Sequence, residues 1–291
     1  MKLEQSYALC RRIARRSSSS FYLSFRLLER PQRDAMCALY AFSRRTDDLI
    51  DDTSYLARDM NSMDRAESLK LWRSRLSDAL SGDPAGDHWP ALADTARRCA
   101  IPDQYFFDLL DGVEMDLEPR RYESIEELQV YCDRVATSVG LACLRIWGCD
   151  DSDALPPATS CGRAFQLTNI LRDLREDAQR GRIYLPQSDL RRFAVKEEQL
   201  RSGQIDDRLH QLLDFEISRA MELYEHAGRT GDFLQGSGRR MFALMFDTYH
   251  RLLQAIQRQK SAILVKRIRL SGWQKVQLAM RHWGRGRGGA R

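Results

Sequence analysis

The chain has 291 residues, of which 43% are hydrophobic and 30% are charged, and its formal net charge is +5. This composition is typical of a folded helical protein, and the length is enough to bury a sizeable core. The charge allows attraction to phosphates or anionic lipid headgroups but is well short of the balance of a nucleic-acid-binding protein, so no nucleic-acid partner is expected. Seven cysteines without a CxxC pair and five histidines without an HExxH motif argue against a disulfide framework and against zinc.

The chain shows neither an apolar signal-peptide core near its start nor 18 consecutive apolar residues. We therefore expect a cytoplasmic protein that is at most peripherally attached to a membrane. Basic and apolar residues alternate over 260–283, a pattern that suits an anionic membrane surface, although packing in the core explains it equally well.

Hydrophobic periodicity and turn residues predict helices along the whole chain, and no segment reads as a strand. The predicted helices cover residues 3–16, a long stretch from Pro31, 62–80, 90–100, a stretch from Pro102, 124–147, 158–180, 187–201, 206–229 and a stretch beyond the Gly-rich turn at 231–238. We expect an all-α fold with one helical domain over residues 1–283. The Gly/Arg-rich residues 284–291 are predicted to form a disordered tail.

Two acidic stretches contain the candidate metal-binding and phosphate-binding residues of this sequence. On the helix from Pro31, Tyr40, Arg44, Asp47 and Asp51 follow at helical spacing on one face. On helix 158–180, a second face carries Gly162, Gln166, Asn169, Asp173 and Asp177. Aspartates one helical turn apart repel each other unless a cation neutralises them. Carboxylate and amide oxygens suit Mg²⁺, and the adjacent arginines suit phosphate, so the pattern predicts a metal-dependent diphosphate site.

Three other segments bear on such a site. Asp111, Glu114, Asp116 and Glu118 form a third acidic cluster, which we interpret as a mostly solvated face because it lacks a paired i, i+4 aspartate motif and an adjacent arginine. Gly140, in the small-residue part of helix 124–147, marks either close helix packing, the favoured interpretation, or space left for a ligand. Residues 182–186 are predicted to be a flap beside the metal end of the site.

A diphosphate that leaves with metal assistance generates a carbocation, which aromatic ring faces can stabilise in a helix bundle. The aromatic candidates are Phe21, Phe25, Tyr40, Tyr131, Phe165 and Tyr249. Arg145, Ile146 and Trp147, beyond the small-residue segment, are candidates for limiting the depth of a substrate channel.

These motifs resemble the squalene/phytoene synthase family over roughly residues 5–275. The resemblance rests on the stretches from Ser18 to Phe25, Tyr40 to Asp52, Tyr131 to Gly140 and, most specifically, Gln166 to Asp173 with Tyr184-Leu185-Pro186. It implies an isoprenoid-synthase helical bundle with a central active-site cavity. The implied reaction is head-to-head condensation of two prenyl diphosphates through a cyclopropylcarbinyl diphosphate, giving squalene from farnesyl diphosphate or phytoene from geranylgeranyl diphosphate.

Carried over position by position, the resemblance implies roles for individual residues. Those implied to bind Mg²⁺, or Mn²⁺ in its place, are Asp47, Asp51, Asn169, Asp173 and Asp177. Those implied to contact diphosphate or line its pocket are Arg44, Arg172, Arg182, Ser18, Ser20, Tyr40 and Tyr131. Those implied to line the prenyl channels are Phe21, Phe25, Ala136, Val139, Gln166 and Tyr249. NADPH is implied only if the product is squalene. Ser17 stands where relatives can have histidine, which leaves its role open.

Two alternatives remain on the residues alone. An all-α metal-dependent nucleotide pyrophosphohydrolase would explain the paired carboxylates but not the aromatic and glycine-containing apolar faces. A binding or scaffold protein would explain only the basic tail.

Overall fold

The protein is built from α-helices in a computed structural model that describes residues 1–17, 22, 24–49 and 65–284, and no strand occurs within those ranges. The predicted all-α fold class is confirmed. In chain order the helices are α1 (Leu3–Ser17), α2 (Arg30–Asp48), α3 (Arg65–Leu80), α4 (Trp89–Arg98), α5 (Asp103–Glu114), α6 (Ile125–Cys132), α7 (Ser138–Ile146), α8 (Leu155–Gln179), α9 (Gln187–Arg192), α10 (Glu197–Ser202), α11 (Asp207–Ala227), α12 (Gly236–Arg258) and α13 (Gly272–Gly284). Of the predicted tail, 284–291, Gly284 is the last residue of α13, and residues 285–291 lie outside the described ranges.

Local sequence signals set several helix ends. Pro31 lies in the first turn of α2, where its missing N–H costs no hydrogen bond. The side chain of Asp206 caps α11 by accepting a hydrogen bond from the backbone N–H of Leu209 at 2.9 Å. Gly203 follows α10 with a φ of 81°, a left-handed conformation that favours glycine.

Helix α8 is the centre of the fold. It packs against α7, α10, α11 and α12, and against a π-helical turn at Asp133–Thr137 that joins α6 to α7. One apolar core lies between the N-terminal helices and α7, and a second lies between the C-terminal half of α8 and α11 to α13. Phe165 of α8 and Phe246 of α12 pack against both cores. A substrate cavity therefore has room where the two cores meet.

The contact between α8 and the π-helical turn depends on a missing side chain. A Cβ at Gly162 would lie 2.6 Å from the Cα of Thr137, whereas a Cβ at Gly140 would have no atom within 4 Å. The favoured interpretation of Gly140 as a close-packing glycine is therefore wrong, because Gly162 makes the close approach. Beside Gly162, Arg163 donates two hydrogen bonds, of 2.8 and 2.6 Å, to the carboxylate of Asp133.

Two further expectations need correction. The predicted helix 187–201 is two short helices, because Phe193–Lys196 interrupts it and Ala194 has a φ of 53°. The predicted helix 124–147 contains the π-helical turn. Residues 182–186, predicted to be a flap beside the metal end of the site, are anchored by Ile183 and Leu185, which are buried in the second core. No helix within the described ranges is both long and apolar enough to cross a membrane.

Candidate active site

A polar pocket of about 400 Å³ lies at the C-terminal ends of α2 and α8. Its charged lining consists of Arg44, Asp47, Asp116, Arg172, Asp173, Asp177, Arg182 and Arg267. Among the residues that the structure describes, four arginines of the lining balance four aspartates, so this part of the lining is formally neutral. A diphosphate entering this pocket would add negative charge that further cations would have to neutralise.

An apolar chamber of about 330 Å³ continues from this pocket into the helix bundle. Asp47, Gln166 and Asn169 line both spaces and mark their common boundary. The chamber wall includes Phe25, Tyr40, Ala136, Val139, Gly140, Phe165 and Tyr249. The rings of Phe165 and Tyr249 stack with centroids 4.2 Å apart and planes inclined by 10°, so one wall presents aromatic surface. A ligand with a polar head and a long apolar tail fits this arrangement.

Asp173 forms ion pairs with two arginines, one adjacent to it in the sequence and one from a distant segment. Arg172 donates hydrogen bonds to it at 2.9 and 2.5 Å, and Arg267 donates one at 2.9 Å and has its Nε 2.7 Å from Asp173 Oδ1. Arg267 comes from the segment between α12 and α13, 94 positions after Asp173. Such an ion pair is strong because both partners are partly shielded from water.

Asn169 and Asp177, one helical turn before and one after Asp173 on α8, are polar residues whose interactions are incomplete. Asn169 Oδ1 is buried and has no hydrogen-bond partner, although its amide nitrogen donates to Gln166 at 3.3 Å. Burial, and secondly the charge of Asp173, raises the pKa of Asp177 from 3.8 to about 7. A buried oxygen without a donor and a destabilised carboxylate are both features that a bound cation would relieve.

Two tyrosines share one carboxylate on the opposite wall. The hydroxyl of Tyr131 donates to Asp116 at 2.9 Å, and that of Tyr184 donates to the other oxygen of Asp116 at 2.8 Å. Burial, and secondly the charge of Asp116, raises the pKa of both hydroxyls, so both stay protonated at neutral pH. The interpretation of Asp116 as part of a solvated face is wrong, because the tyrosines fix it in the pocket. Glu114 and Glu118 of the same cluster are exposed.

The structure brings most of the predicted site residues together. Those in the polar pocket are Arg44, Asp47, Tyr131, Gln166, Asn169, Arg172, Asp173, Asp177 and Arg182. Those lining the chamber include Phe25, Tyr40, Ala136, Val139 and Tyr249. Tyr131 lines the polar pocket, as the resemblance implies, whereas Tyr40, implied to line the same pocket, lines the apolar chamber. Ser18, Ser20, Phe21 and Asp51 lie outside the described residues.

Two charged pocket residues, Asp116 and Arg267, are not predicted from the sequence to belong to the site, and Tyr184 is predicted only as part of a flap beside it. Asp116 belongs to a cluster that the sequence predicts to be a mostly solvated face, and Arg267 is one of several basic residues in the amphipathic segment 260–283. Nothing in its spacing points to Asp173, because the contact depends on how the chain crosses back over α8.

Comparisons with known proteins agree with this geometry. The family model for squalene/phytoene synthase matches residues 14–274. The chain is 35% identical to the 15-cis-phytoene synthase of Synechococcus elongatus, covering 94% of this chain and 91% of that protein. It is 36% identical to the phytoene synthase of Mycobacterium tuberculosis, covering 96% and 90%.

Solved structures of related enzymes share the fold. A dehydrosqualene synthase crystallised with a ligand superimposes with a TM-score of 0.86 at 32% identity, covering 97% of both chains. A squalene synthase of Alicyclobacillus acidocaldarius gives a TM-score of 0.81 at 27% identity, covering 88% of this chain and 95% of that one. These matches decide against a pyrophosphohydrolase and against a scaffold protein. The chain is a prenyltransferase and belongs to the squalene/phytoene synthase family.

Proposed function

We propose that this prenyltransferase condenses two molecules of geranylgeranyl diphosphate head to head, in a reaction that depends on Mg²⁺ and yields phytoene. The observation that carries the proposal is the continuity of the polar pocket with the apolar chamber across Asp47, Gln166 and Asn169. This boundary would place the C–O bond of a prenyl diphosphate between the charged residues and the aromatic wall. The C20 substrate is supported by the relatives that are named phytoene synthases.

The pocket residues fit Mg²⁺ as the metal, with Mn²⁺ as an alternative. Asn169, Asp173 and Asp177 offer oxygen ligands along one face of α8, and Asn169 Oδ1 is buried without a partner. Asp47 of α2 would complete the set together with Asp51. When bound, Mg²⁺ would stabilise the negative charge that develops on the diphosphate as the C–O bond breaks. Arg172 and Arg267, which now bind Asp173, would then bind phosphate oxygens in its place.

The reaction would proceed in two ionisations. Loss of diphosphate from one substrate gives an allylic cation that the double bond of the second substrate attacks, and loss of a proton closes a cyclopropylcarbinyl diphosphate. The second ionisation and rearrangement, with loss of another proton, give phytoene without a reductant. Squalene would instead require a hydride from NADPH. Phe165 and Tyr249 would stabilise the cations through their ring faces and exclude water from them.

The proton acceptor follows from the state of the pocket tyrosines. Tyr131 and Tyr184 donate their protons to Asp116, and their raised pKa values keep them neutral. A neutral phenol oxygen is a weak base, so these tyrosines do not suit proton abstraction. The released diphosphate is therefore the proposed base.

Product analysis tests this function. Purified protein with Mg²⁺ would be incubated separately with farnesyl and geranylgeranyl diphosphate, with and without NADPH, and the products identified by mass. We expect a C40 hydrocarbon from the C20 substrate that does not depend on NADPH. An NADPH-dependent C30 hydrocarbon as the main product would contradict the substrate assignment. No condensation of any prenyl diphosphate would contradict the function itself.

We also propose peripheral binding to an anionic lipid surface through the C-terminal segment. Residues 260–291 contain nine of the 46 basic residues and none of the 41 acidic ones, so this segment carries +9 and the rest of the chain −4. Trp273, Val276 and Met280 are exposed on one face of α13, and Trp273 is 71% exposed. Core packing accounts only for the other side chains, such as Ile268 and Leu278, which are buried. An exposed apolar stripe with basic neighbours suits a membrane interface.

Vesicle co-sedimentation tests the membrane proposal. The wild-type protein should sediment with vesicles containing phosphatidylglycerol and much less with purely zwitterionic vesicles, and salt should release it. Trp273→Ser should weaken the binding several-fold. Leu71→Ser removes an apolar side chain that is 39% exposed on α3 and serves as the matched control, with no expected effect. Equal losses in both variants would contradict a specific role for α13.

A further inference from the structure

Gly140 lines the apolar chamber at a position where the fold does not require a glycine. It lies in α7 and does not have the positive φ that favours glycine. Among the residues that the structure describes, no atom would lie within 4 Å of a Cβ at this position. A glycine within continuous helical backbone costs about 1 kcal/mol relative to alanine. Since neither backbone conformation nor packing explains this glycine, its missing side chain matters for the space that it leaves.

That space belongs to the chamber. Cys143, Leu144 and Trp147, which follow Gly140 at i+3, i+4 and i+7, all line the chamber. Residues at these spacings share one face of a helix. A side chain at position 140 would therefore point into the chamber.

The depth of Gly140 follows from how α7 and α8 lie against each other. The close contact of Gly162 with Thr137 marks one level on both segments. Asn169, at the polar boundary, lies seven residues from Gly162, and Gly140 lies three residues from Thr137. Tyr131 lines the polar pocket and precedes Thr137, so the backbone from Thr137 to Gly140 runs away from that pocket. At about 1.5 Å per residue, Gly140 is about 15 Å from the boundary.

This depth separates a C15 prenyl chain from a C20 chain. An extended chain advances about 1.2 Å per bond, as the peptide backbone does, so a C15 chain reaches about 13 Å from its C1 atom and a C20 chain about 18 Å. With C1 at the polar boundary, the C15 chain ends short of Gly140 and the C20 chain passes it.

We propose that Gly140 determines the chain length that the chamber accepts, by leaving room for the fourth isoprene unit of a C20 substrate. The proposal rests on the proposed condensation of prenyl diphosphates. A side chain at position 140 would overlap the fourth unit, which a C15 chain lacks, and would leave the first three units in place. Bulk added to a site that a ligand already fills is poorly tolerated, because close-packed atoms have little room to move.

Binding of unreactive analogues tests this role without turnover. The C15 and C20 thiolodiphosphates, in which sulfur replaces the oxygen at C1, would be titrated with Mg²⁺ into wild type, Gly140→Ala and Gly140→Val by calorimetry. We expect Gly140→Val to weaken binding of the C20 analogue by about tenfold or more and that of the C15 analogue by less than about twofold. Gly140→Ala should show a smaller shift in the same direction. Equal losses for the two analogues, or no loss for either, would overturn the proposal.

Ala136→Val is the matched control. Ala136 lines the chamber one residue before Thr137, about 9 Å from the boundary, where both chains pass. This variant should weaken both analogues to a similar extent. A C20-selective loss as large as that of Gly140→Val would contradict the dependence on depth. If Gly140→Val does not fold, Gly140→Ala still decides the question, because its Cβ meets open space.

Turnover separates this proposal from the proposed function. The ratio of C20 to C15 kcat/KM should fall by about tenfold in Gly140→Val, and an unchanged ratio would contradict the role of Gly140. If the wild type condenses no prenyl diphosphate, the proposed function fails, and the titration with analogues still decides whether Gly140 selects chain length.

Discussion

Substituting Gly162 by alanine should loosen the junction that shapes the substrate chamber. The new Cβ would lie 2.6 Å from the Cα and 2.8 Å from the backbone nitrogen of Thr137. These are main-chain atoms of the π-helical turn, so no side-chain rotation can relieve the overlap. Overpacking of this kind costs about 1–3 kcal/mol, against which the higher helix propensity of alanine contributes about 1 kcal/mol.

Gly140→Ala is the matched control, because it makes the same exchange in the neighbouring helix α7. A Cβ at position 140 would meet no atom within 4 Å and would point into open space at the chamber wall. We expect this variant to be as stable as the wild type or up to about 1 kcal/mol more stable. Its added methyl group should instead raise the KM for the prenyl diphosphate.

Thermal unfolding followed by circular dichroism measures the contrast. The midpoint of Gly162→Ala should lie several degrees below that of Gly140→Ala, since about 1 kcal/mol corresponds to roughly 2–4 °C in a protein of this size class. Activity of Gly162→Ala should also fall, because Ala136 of the displaced turn lines the chamber. Equal midpoints for the two variants would refute the packing argument.

Three other substitutions test different parts of the site and the core. Asp173→Asn should lower kcat by at least about a hundredfold and weaken Mg²⁺ binding measured by calorimetry, because the neutral amide removes the negative charge that attracts the cation; near-normal binding and turnover would contradict its role. Tyr184→Phe should lower kcat/KM by about tenfold with little loss of stability, since Asp116 keeps its bond from the other tyrosine; unchanged kinetics would remove Tyr184 from the site. Burial raises the pKa of Glu216 from 4.5 to about 7, so the folded state binds this proton more tightly than the unfolded state. The contribution of Glu216 to the free energy of unfolding should therefore fall, by the order of 3 kcal/mol, as the pH rises from about 4.5 through 7, in addition to the contribution of Asp177, whose pKa is raised in the same direction. Glu216→Gln should remove this loss, whereas the exposed control Glu225→Gln should keep it.

Most of the helices and the polar half of the site can be predicted from the amino-acid sequence. Local spacing is sufficient for the ladder of Asn169, Asp173 and Asp177, because residues three and four positions apart share a helix face. Asp47 lines the polar pocket, whereas its neighbour Asp48 forms an ion pair with Arg44 at 2.6 Å. Such features depend on only one turn of helix at a time.

Features that depend on tertiary packing were not predictable in the same way. Arg267 reaches Asp173 across 94 positions, and Asp116 is tied to tyrosines from two other segments. The interruption at Phe193–Lys196 has no glycine or proline to mark it, since Ala194 takes the left-handed conformation. Gly140 and Gly162 look alike in sequence, and only the position of Thr137 separates them.

The position of an isotopic label in the product tests the central claim most directly. Geranylgeranyl diphosphate labelled with ¹³C at C1 would be incubated with the protein and Mg²⁺, and the product examined by carbon NMR and mass spectrometry. Head-to-head condensation predicts a C40 hydrocarbon in which both labels occupy the two central carbons and give one olefinic signal. A C40 diphosphate with labels at two different positions would show head-to-tail condensation and contradict the account, as would recovery of the substrate unchanged.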